Sequence, residues 1–368
     1  MTTSEGRNRG TPALTQLYGI FVSLQKTQTA LRLLKRLELK ANGYNMRREG
    51  EIAVIPLIDA PTGQAETILR KELGAFQIRE ALFDPIHARP TNLRDTLRGV
   101  VPSQLASQLP RSFDVIGDIA IIELSTKLEA YSAEVGRGIL EINPHLRLVL
   151  RKSGEVMGRF RTRELHVLAG VDGMETVHRE FGCRYNLDVS MVYFNPRLAH
   201  ERHRVAERVS QGEVVVDMFA GVGPYSILTA RLQPRVRVYA VDINPSAVKY
   251  LRDNILANGV ADRVVPLLGD AGELATGTLH GTADRVIMNL PSEAEHYLGA
   301  ALQTLKTSGG VIHFYKFEPR DVVLSSVKER FRTSIQSLNR DVRAFDYCEV
   351  VKEIAAGRVQ VALDAVIN

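Results

Sequence analysis

The stretch Val214-Val-Val-Asp-Met-Phe-Ala-Gly-Val-Gly-Pro224 constrains this chain more than any other. A short apolar run ends in an acid, passes through two glycines one residue apart, and meets a proline where a helical pattern begins. A strand opening through such a turn into a helix leaves unpaired N–H groups at the helix start, and glycines let a ligand reach the backbone without meeting a Cβ. Gly221 and Gly223 are therefore expected to face a ligand.

From Pro196 onward, β runs alternate with helical stretches: Glu213 to Met218, Val236 to Val241, Val264 to Leu268, Arg285 to Met288 and Gly310 to Phe314. Strands separated by helices argue for a parallel, doubly wound α/β sheet covered on both faces. Tyr347 to Ile354 and Val359 to Val366, around Ala356-Gly-Arg, are expected to form an antiparallel hairpin at the sheet edge.

Three acids stand at three successive strand ends. Asp217 precedes the glycine turn, Asp242 closes Val238-Tyr-Ala-Val-Asp, and Asp270 follows Gly269. Each alone is as readily a helix N-cap or a turn residue. Together they line the carboxyl edge of the sheet, where this architecture binds ligands. The third glycine of the dinucleotide fingerprint is missing, and a carboxylate at Asp217 repels a pyrophosphate while suiting a cationic amino-acid group. Asp242 is placed to take both ribose hydroxyls, and Asp270 to read an adenine amino group.

The series resembles the class I methyltransferases that use S-adenosylmethionine. The resemblance implies a Rossmann-like fold and a cofactor site of Asp217, Phe219, Gly221, Gly223, Asp242, Ile243, Asp270, Asn289, Pro291 and Arg202, with no metal. Asn289-Leu-Pro-Ser292 ends the fourth strand where enzymes that methylate exocyclic amines carry an aromatic fourth residue. Serine there makes an amino-group acceptor less fitting, while the Asn289 amide still suits a base edge.

The N-terminal half is organised differently. Residues 1–14 read as a disordered tail; Gly19-Ile-Phe-Val, the helical Thr27 to Leu39 and Ile52 to Leu57 make a small α/β module over 15–70; an α+β middle domain follows over 71–195, and the methyltransferase domain occupies 196–368. Arginine is frequent in the middle domain (Arg89, Arg94, Arg98, Arg111, Arg147, Arg151, Arg159, Arg161, Arg163), which suits either a nucleic-acid face or ordinary solvation, and the net charge of +5 permits a polyanionic partner. Two cysteines exclude a cysteine-rich zinc site and a disulfide framework, though not a single disulfide. With no secretion signal at the start and no apolar run long enough to span a bilayer, a cytoplasmic protein without a membrane partner is expected.

The segment Val192-Tyr-Phe-Asn-Pro-Arg-Leu-Ala-His-Glu-Arg-His-Arg204 sharpens the resemblance. With Asp217-Met-Phe-Ala-Gly-Val-Gly-Pro, Asn289-Leu-Pro, Gly158-Arg-Phe-Arg-Thr-Arg-Glu164 and His178-Arg-Glu-Phe-Gly-Cys-Arg, it is similar to the archaeal and eukaryotic tRNA (guanine-N1) methyltransferases acting 3′ of the anticodon. That resemblance implies Glu201 as general base, Arg161 (or its neighbour Arg163) steadying O6, and Tyr193 and Asn289 positioning the guanine. It implies tRNA as partner of a monomer, touched at the anticodon stem-loop and in a more distant region; Arg32, Lys35, Arg36, Lys40, Arg47 and Arg48 of the N-terminal module suit that distant contact or simple solvation. The chemistry asks for such groups, because guanine N1 carries a proton that a base must remove before the nitrogen attacks a methyl donor. On residue types alone, Glu201 and Arg204 read equally as a surface helix pair. Two alternatives stay open: a wybutosine-pathway enzyme at the same tRNA position, methylating a carbon or transferring an aminocarboxypropyl group, and a protein of another class, either an RNA-binding or nucleotide-binding protein with a degenerate site or a nicotinamide dehydrogenase.

Overall fold

The computed structural model describes residues 14–85, 91–157, 162–355 and 357–368. The expected N-terminal tail lies almost wholly outside them. The chain divides into two units, Met1–Arg89 and Pro90–Asn368.

In the first unit, β1 (Thr15–Ser23) is followed by α1 (Thr27–Arg36), β2 (Arg47–Glu49), β3 (Ile52–Pro56), α2 (Gly63–Leu73) and β4 (Gln77–Phe83). The sheet order is β2-β3-β1-β4, and Leu33, Leu34, Leu69 and Leu73 of the two helices pack on Ile20, Val22 and Ile55. A boundary at residue 70 would cut α2 and remove β4, which pairs with β1 from Thr15↔Phe83 to Phe21↔Gln77, so the module runs past Phe83. The loose stretch after Asp59 is a loop within the module, whose local polarity does not reveal that the chain returns to the same sheet.

The second unit opens with α3 (Leu93–Thr96), β5 (Asp114–Ile116), β6 (Ile119–Ile122), α4 (Ser132–Ile142), β7 (Leu148–Met157) and β8 (Thr162–Gly170), giving a sheet of order β5-β6-β7-β8 backed by Val135 and Ile139 of α4. A hairpin of β9 (Glu175–Glu180) and β10 (Cys183–Asp188) leads to α5 (Ala199–Arg208). Next come β11 (Val214–Asp217), α6 (Pro224–Leu232), β12 (Arg237–Asp242), α7 (Pro245–Ala257), β13 (Val264–Leu268), α8 (Ala271–Thr276), β14 (Arg285–Met288), α9 (Leu298–Thr304), β15 (Gly310–Pro319), α10 (Leu324–Ser337), β16 (Val342–Ala355) and β17 (Arg358–Ile367).

The seven-stranded sheet has the order β13-β12-β11-β14-β15-β17-β16, with β11 to β15 mutually parallel and β17 antiparallel to both its neighbours. Chain order reverses between β11 and β14, so connections leave their carboxyl ends in opposite directions and open a crevice there. The expected edge hairpin forms, with its second strand inserted between β15 and its first.

One core runs from Ile119 and Leu148 of the four-stranded sheet through Tyr185 and Val205 to Val215 and Tyr315 of the seven-stranded sheet. The β9–β10 hairpin is fixed to this body by asparagines. Asn254 and Asn258, four residues apart on one face of α7, accept from the N–H of Asn186 (2.7 Å) and Arg184 (2.9 Å) and donate to the carbonyls of the same residues (3.0 and 2.7 Å). Their amides satisfy the edge of β10 as a neighbouring strand would. Asn254 also donates to Val222 O at 3.1 Å, in the glycine turn. Among the described residues no helix is long and apolar enough to cross a membrane, and Cys183 and Cys348 are buried free thiols.

Asn254→Ala strands three groups of Asn186 and one of Val222, so unfolding in urea should show a loss of about 3 kcal/mol. A loss under about 0.5 kcal/mol would mean that the amide contributes no net stability at this junction.

Candidate functional site

A cavity opens at the reversal point. Its wall takes Tyr193 and Arg202 from the segment entering α5, Phe219 and Gly221 from the turn after β11, Asp242 and Ile243 after β12, Asp270 after β13, and Asn289 and Pro291 after β14. Nine of the sequence-derived site residues thus come together, seven of them from separate strand ends and two, Tyr193 and Arg202, from the loop before α5 and from α5 itself. Glu201, Asp217 and Gly223 are not in the wall, and Arg161 lies outside the described residues; Arg163 stands near the start of β8.

The two glycines have different reasons to be glycine. Gly221 has φ +56°, and a Cβ there would meet nothing closer than Tyr193 O at 3.8 Å, so this backbone is open to a ligand. Gly223 has φ +92°, and its Cβ would lie 2.4 Å from Leu251 Cδ1, so it allows α6 to pack on α7 rather than a ligand to approach. Pro224 then starts α6 at a position whose N–H would have no helical partner.

The three acids also differ. Asp217 is 0% exposed and does not line the cavity, although its neighbours Met218 and Phe219 do. Its Oδ2 accepts from Ser226 Oγ at 2.7 Å, and its Oδ1 has no hydrogen-bond partner among the described residues. Burial pushes its carboxyl up to about 7 against the pull of the Ser226 hydroxyl, with the Asp242 charge adding to the rise. Direct contact with a cationic ligand group, as expected from sequence, would require the turn to move. Asp242 accepts from Gly221 N (2.7 Å) and Asn244 N (2.9 Å), one bond per oxygen, which clamps the turn and leaves lone pairs for hydroxyls. Burial raises its carboxyl, and these backbone bonds temper the shift. Asp270 caps α8, accepting from Gly272 N at 2.8 Å, so the cap and ligand-site readings meet in one residue that also lines the cavity.

Asn289 Oδ1 accepts from Gln360 Nε2 at 3.2 Å. Gln360 reaches the cavity because β17 inserts beside β15, where Gln360 pairs with Phe317, another wall residue. Neither was singled out from sequence, because no local signal announces that insertion. Tyr297, which meets Phe219 edge-on at 5.0 Å, and Tyr225, immediately after Pro224, were also missed. Tyr193 is 41% exposed at the rim, its hydroxyl accepting from Asn195 Nδ2 at 3.3 Å. Arg202, the one base among the described wall residues, is 2% exposed and neutralised by Glu180 through bonds of 2.7 and 2.5 Å.

Glu201 is no surface residue. Its side chain is 5% exposed, and its oxygens accept from Arg204 Nε (2.8 Å), Arg204 Nη2 (2.7 Å) and Tyr315 Oη (2.6 Å). Arg204 also donates to Asp364 at 2.6 and 3.1 Å. Because a guanidinium cannot accept, Arg285 must donate to His313 Nε2 (2.9 Å), so His313 carries its proton on Nδ1 and gives it to Asp364 (2.7 Å). Burial opposes ionisation of Asp364, but His313 and Arg204 hold its carboxyl well below the usual range.

The arginines of the middle region divide. Arg147 bonds Asp118 and nearby carbonyls, and Arg151 pairs with Glu129, so both serve the fold; Arg98 pairs with Asp95 while remaining exposed. Among the described residues no cluster of His, Cys, Asp and Glu could hold a metal ion.

Asp217 makes stability depend on pH. Its folded value is raised, so the proton held in the fold stabilises fully below the ordinary carboxylate range and is lost as pH rises through about 7. Across that window, wild type should lose stability relative to Asp217→Asn by about 1.4 kcal/mol per pH unit at most. Parallel stability–pH curves for the two proteins in urea titrations would refute it.

Residues 176–343 match the TRM5/TYW2 methyltransferase domain, and residues 93–173 match the TYW2 N-terminal domain. A tRNA (guanine(37)-N(1))-methyltransferase, Trm5b of Pyrococcus abyssi, is 39% identical over 93% of this chain and 97% of its own. The tRNA(Phe) (4-demethylwyosine(37)-C(7)) aminocarboxypropyltransferase of Pyrococcus horikoshii is 30% identical over 74% of this chain and 95% of its own. Among solved structures, the complex of aTrm5 and tRNALeu superposes with a TM-score of 0.73 at 31% identity, covering 97% of this chain and all (100%) of that one. Strand order, crevice and sequence agree: the chain belongs to the TRM5/TYW2 family of methyltransferases.

Proposed function

We propose that the chain transfers the methyl group of S-adenosylmethionine to N1 of guanosine 37 of tRNA. The observation that carries the proposal is likeness to a guanine(37)-N1 methyltransferase over 97% of that enzyme's length, joined to a cavity at the reversal point. The residues fit the cofactor. Gly221 leaves the backbone open, Asp242 and Asp270 offer acceptors to hydroxyls and an amino group, and Phe219, Ile243 and Pro291 supply apolar wall. With Arg202 already neutralised, nothing in the described wall favours a pyrophosphate, whereas its acids suit a cation. When bound, the cofactor supplies an electrophilic methyl group.

The chain's own residues prepare the acceptor. Tyr193 at the rim and Asn289, oriented by Gln360, hold the guanine edge, and Glu201 is the final acceptor of the N1 proton. An arginine from the 158–164 segment, Arg161 or Arg163, meets the negative charge that gathers on O6. The tRNA is the partner of a cytoplasmic monomer, through its anticodon stem-loop and a more distant region. The aminocarboxypropyl reading is supported by the match to the TYW2 N-terminal domain, but that relative aligns with only 74% of this chain.

With methyl-labelled cofactor and a transcript bearing guanosine 37, nuclease digestion should yield 1-methylguanosine, and a transcript with adenosine 37 should stay unlabelled. Label transferred from the aminocarboxypropyl arm would favour the second reading. Glu201→Gln should slow single turnover by about 10²–10⁴-fold while S-adenosylhomocysteine affinity holds. Equal losses in both would remove Glu201 from proton transfer.

A further inference from the structure

Asn289 and Gln360 come from different strands, yet their amides meet in the cavity wall. Asn289 follows β14, and Gln360 stands on β17 opposite Phe317 of β15. Gln360 is 3% exposed, and its Nε2 donates to Asn289 Oδ1 at 3.2 Å. Two amides joined in this way commit one N–H and one carbonyl to each other and keep one end each for a ligand. Asn289 Nδ2 and Gln360 Oε1 have no partner among the described residues, and neither atom is sealed off, so both are open to the cavity. A polar side chain as buried as Gln360 is unfavourable unless its remaining atoms are used, which points to a ligand edge.

The two ends of an asparagine amide have nearly the same shape and opposite hydrogen-bonding character. Which end faces the cavity therefore decides what Asn289 can read. With Oδ1 held by Gln360, the end left for a ligand is Nδ2, a donor. A donor meets the carbonyl oxygen of a 6-oxopurine and opposes the amino group of a 6-aminopurine. We infer that Gln360 is a specificity-determining positioning residue: it holds the amide of Asn289 with its donor toward the acceptor base and so selects a 6-oxopurine over a 6-aminopurine. The inference rests on the reading of the acceptor as guanosine 37. The effect of Gln360 passes through Asn289. The same N–H faces O6 as negative charge gathers there, so selection and rate depend on one orientation.

The test compares the dissociation constants of two transcripts, bearing guanosine or 2,6-diaminopurine at position 37, for the full chain loaded with S-adenosylhomocysteine. These bases differ only in the groups at C6 and N1. Wild type should prefer guanosine at least about 10-fold. Gln360→Met, which keeps the length and removes the amide, should lower that preference at least about 3-fold. Gln360→Glu should lower it further, because a carboxylate only accepts; Asn289 must then turn Nδ2 to it and show Oδ1 to the base. A packing defect would weaken both transcripts alike and would spare Gln360→Glu, which keeps the shape of the native side chain. In an Asn289→Ala background, Gln360→Met should leave the preference where Asn289→Ala put it. A preference unchanged in both single variants, a milder loss in Gln360→Glu than in Gln360→Met, or a loss that persists without Asn289 would overturn the inference. So would a wild type that binds the two transcripts equally. Should Gln360→Met fail to fold, Gln360→Glu decides on the ratio alone. Formation of labelled 1-methylguanosine by wild type, followed in parallel, tests the underlying reading by itself: its absence with the preferences intact overturns the N1 assignment and supports the amide pair.

Discussion

The guanidinium of Arg204, bonded at once to Glu201 and Asp364, holds this site together. Two carboxylates and a cation out of water are stable only as a set, since removing one member of a buried pair typically costs about 3–5 kcal/mol. The set joins α5 to β17, and through His313 and Arg285 it extends to β15, β14 and Glu213. Helix α5 is therefore registered against strands distant in sequence, and each donor in the chain has a fixed direction. Rigidity of this kind places Glu201 against Tyr315 before any substrate arrives.

β17 contributes twice from one face. Asp364 anchors Arg204, and Gln360, four residues earlier on the same side, steadies Asn289 at the cavity. A strand with alternating sides can serve the charge network and the acceptor site only if its register is fixed, and pairing with β15 from Gly310↔Ile367 to Pro319↔Arg358 fixes it. On the other flank, Glu180 of the β9–β10 hairpin neutralises Arg202, whose Nη1 also donates to Asn195 O at 3.0 Å. The hairpin thereby supports the loop that presents Tyr193.

The seven-stranded sheet was legible in sequence because its parallel strands are covered on both faces and so read as short apolar runs between turns and helices. The strand-end residues Gly221, Asp242, Asp270 and Asn289 were legible for the same reason: topology alone places strand ends on one edge. What depends on distant pairing was not. Nothing near Gln77 tells that β4 returns to β1, and nothing near Gln360 tells that β17 enters between β15 and β16. Glu201 and Arg204 are visible as a helical i,i+3 pair, but Asp364, which shares the Arg204 guanidinium with Glu201, is 160 residues from Arg204. Gly221 and Gly223 look alike in the text, and only the position of Leu251 separates a ligand-facing glycine from a packing one.

Asn254 holds the edge of β10 and the carbonyl of Val222 with a single amide. An opening that breaks this amide's bonds frays the hairpin at Asn186 and loosens the glycine turn at Val222 together, with one free energy. Whatever occupies the cavity and binds only the closed form raises that free energy by RT ln(1 + [L]/Kd). Slow amide exchange along β10 would then report occupancy of a site it never touches, with α7 as the shared hinge pin.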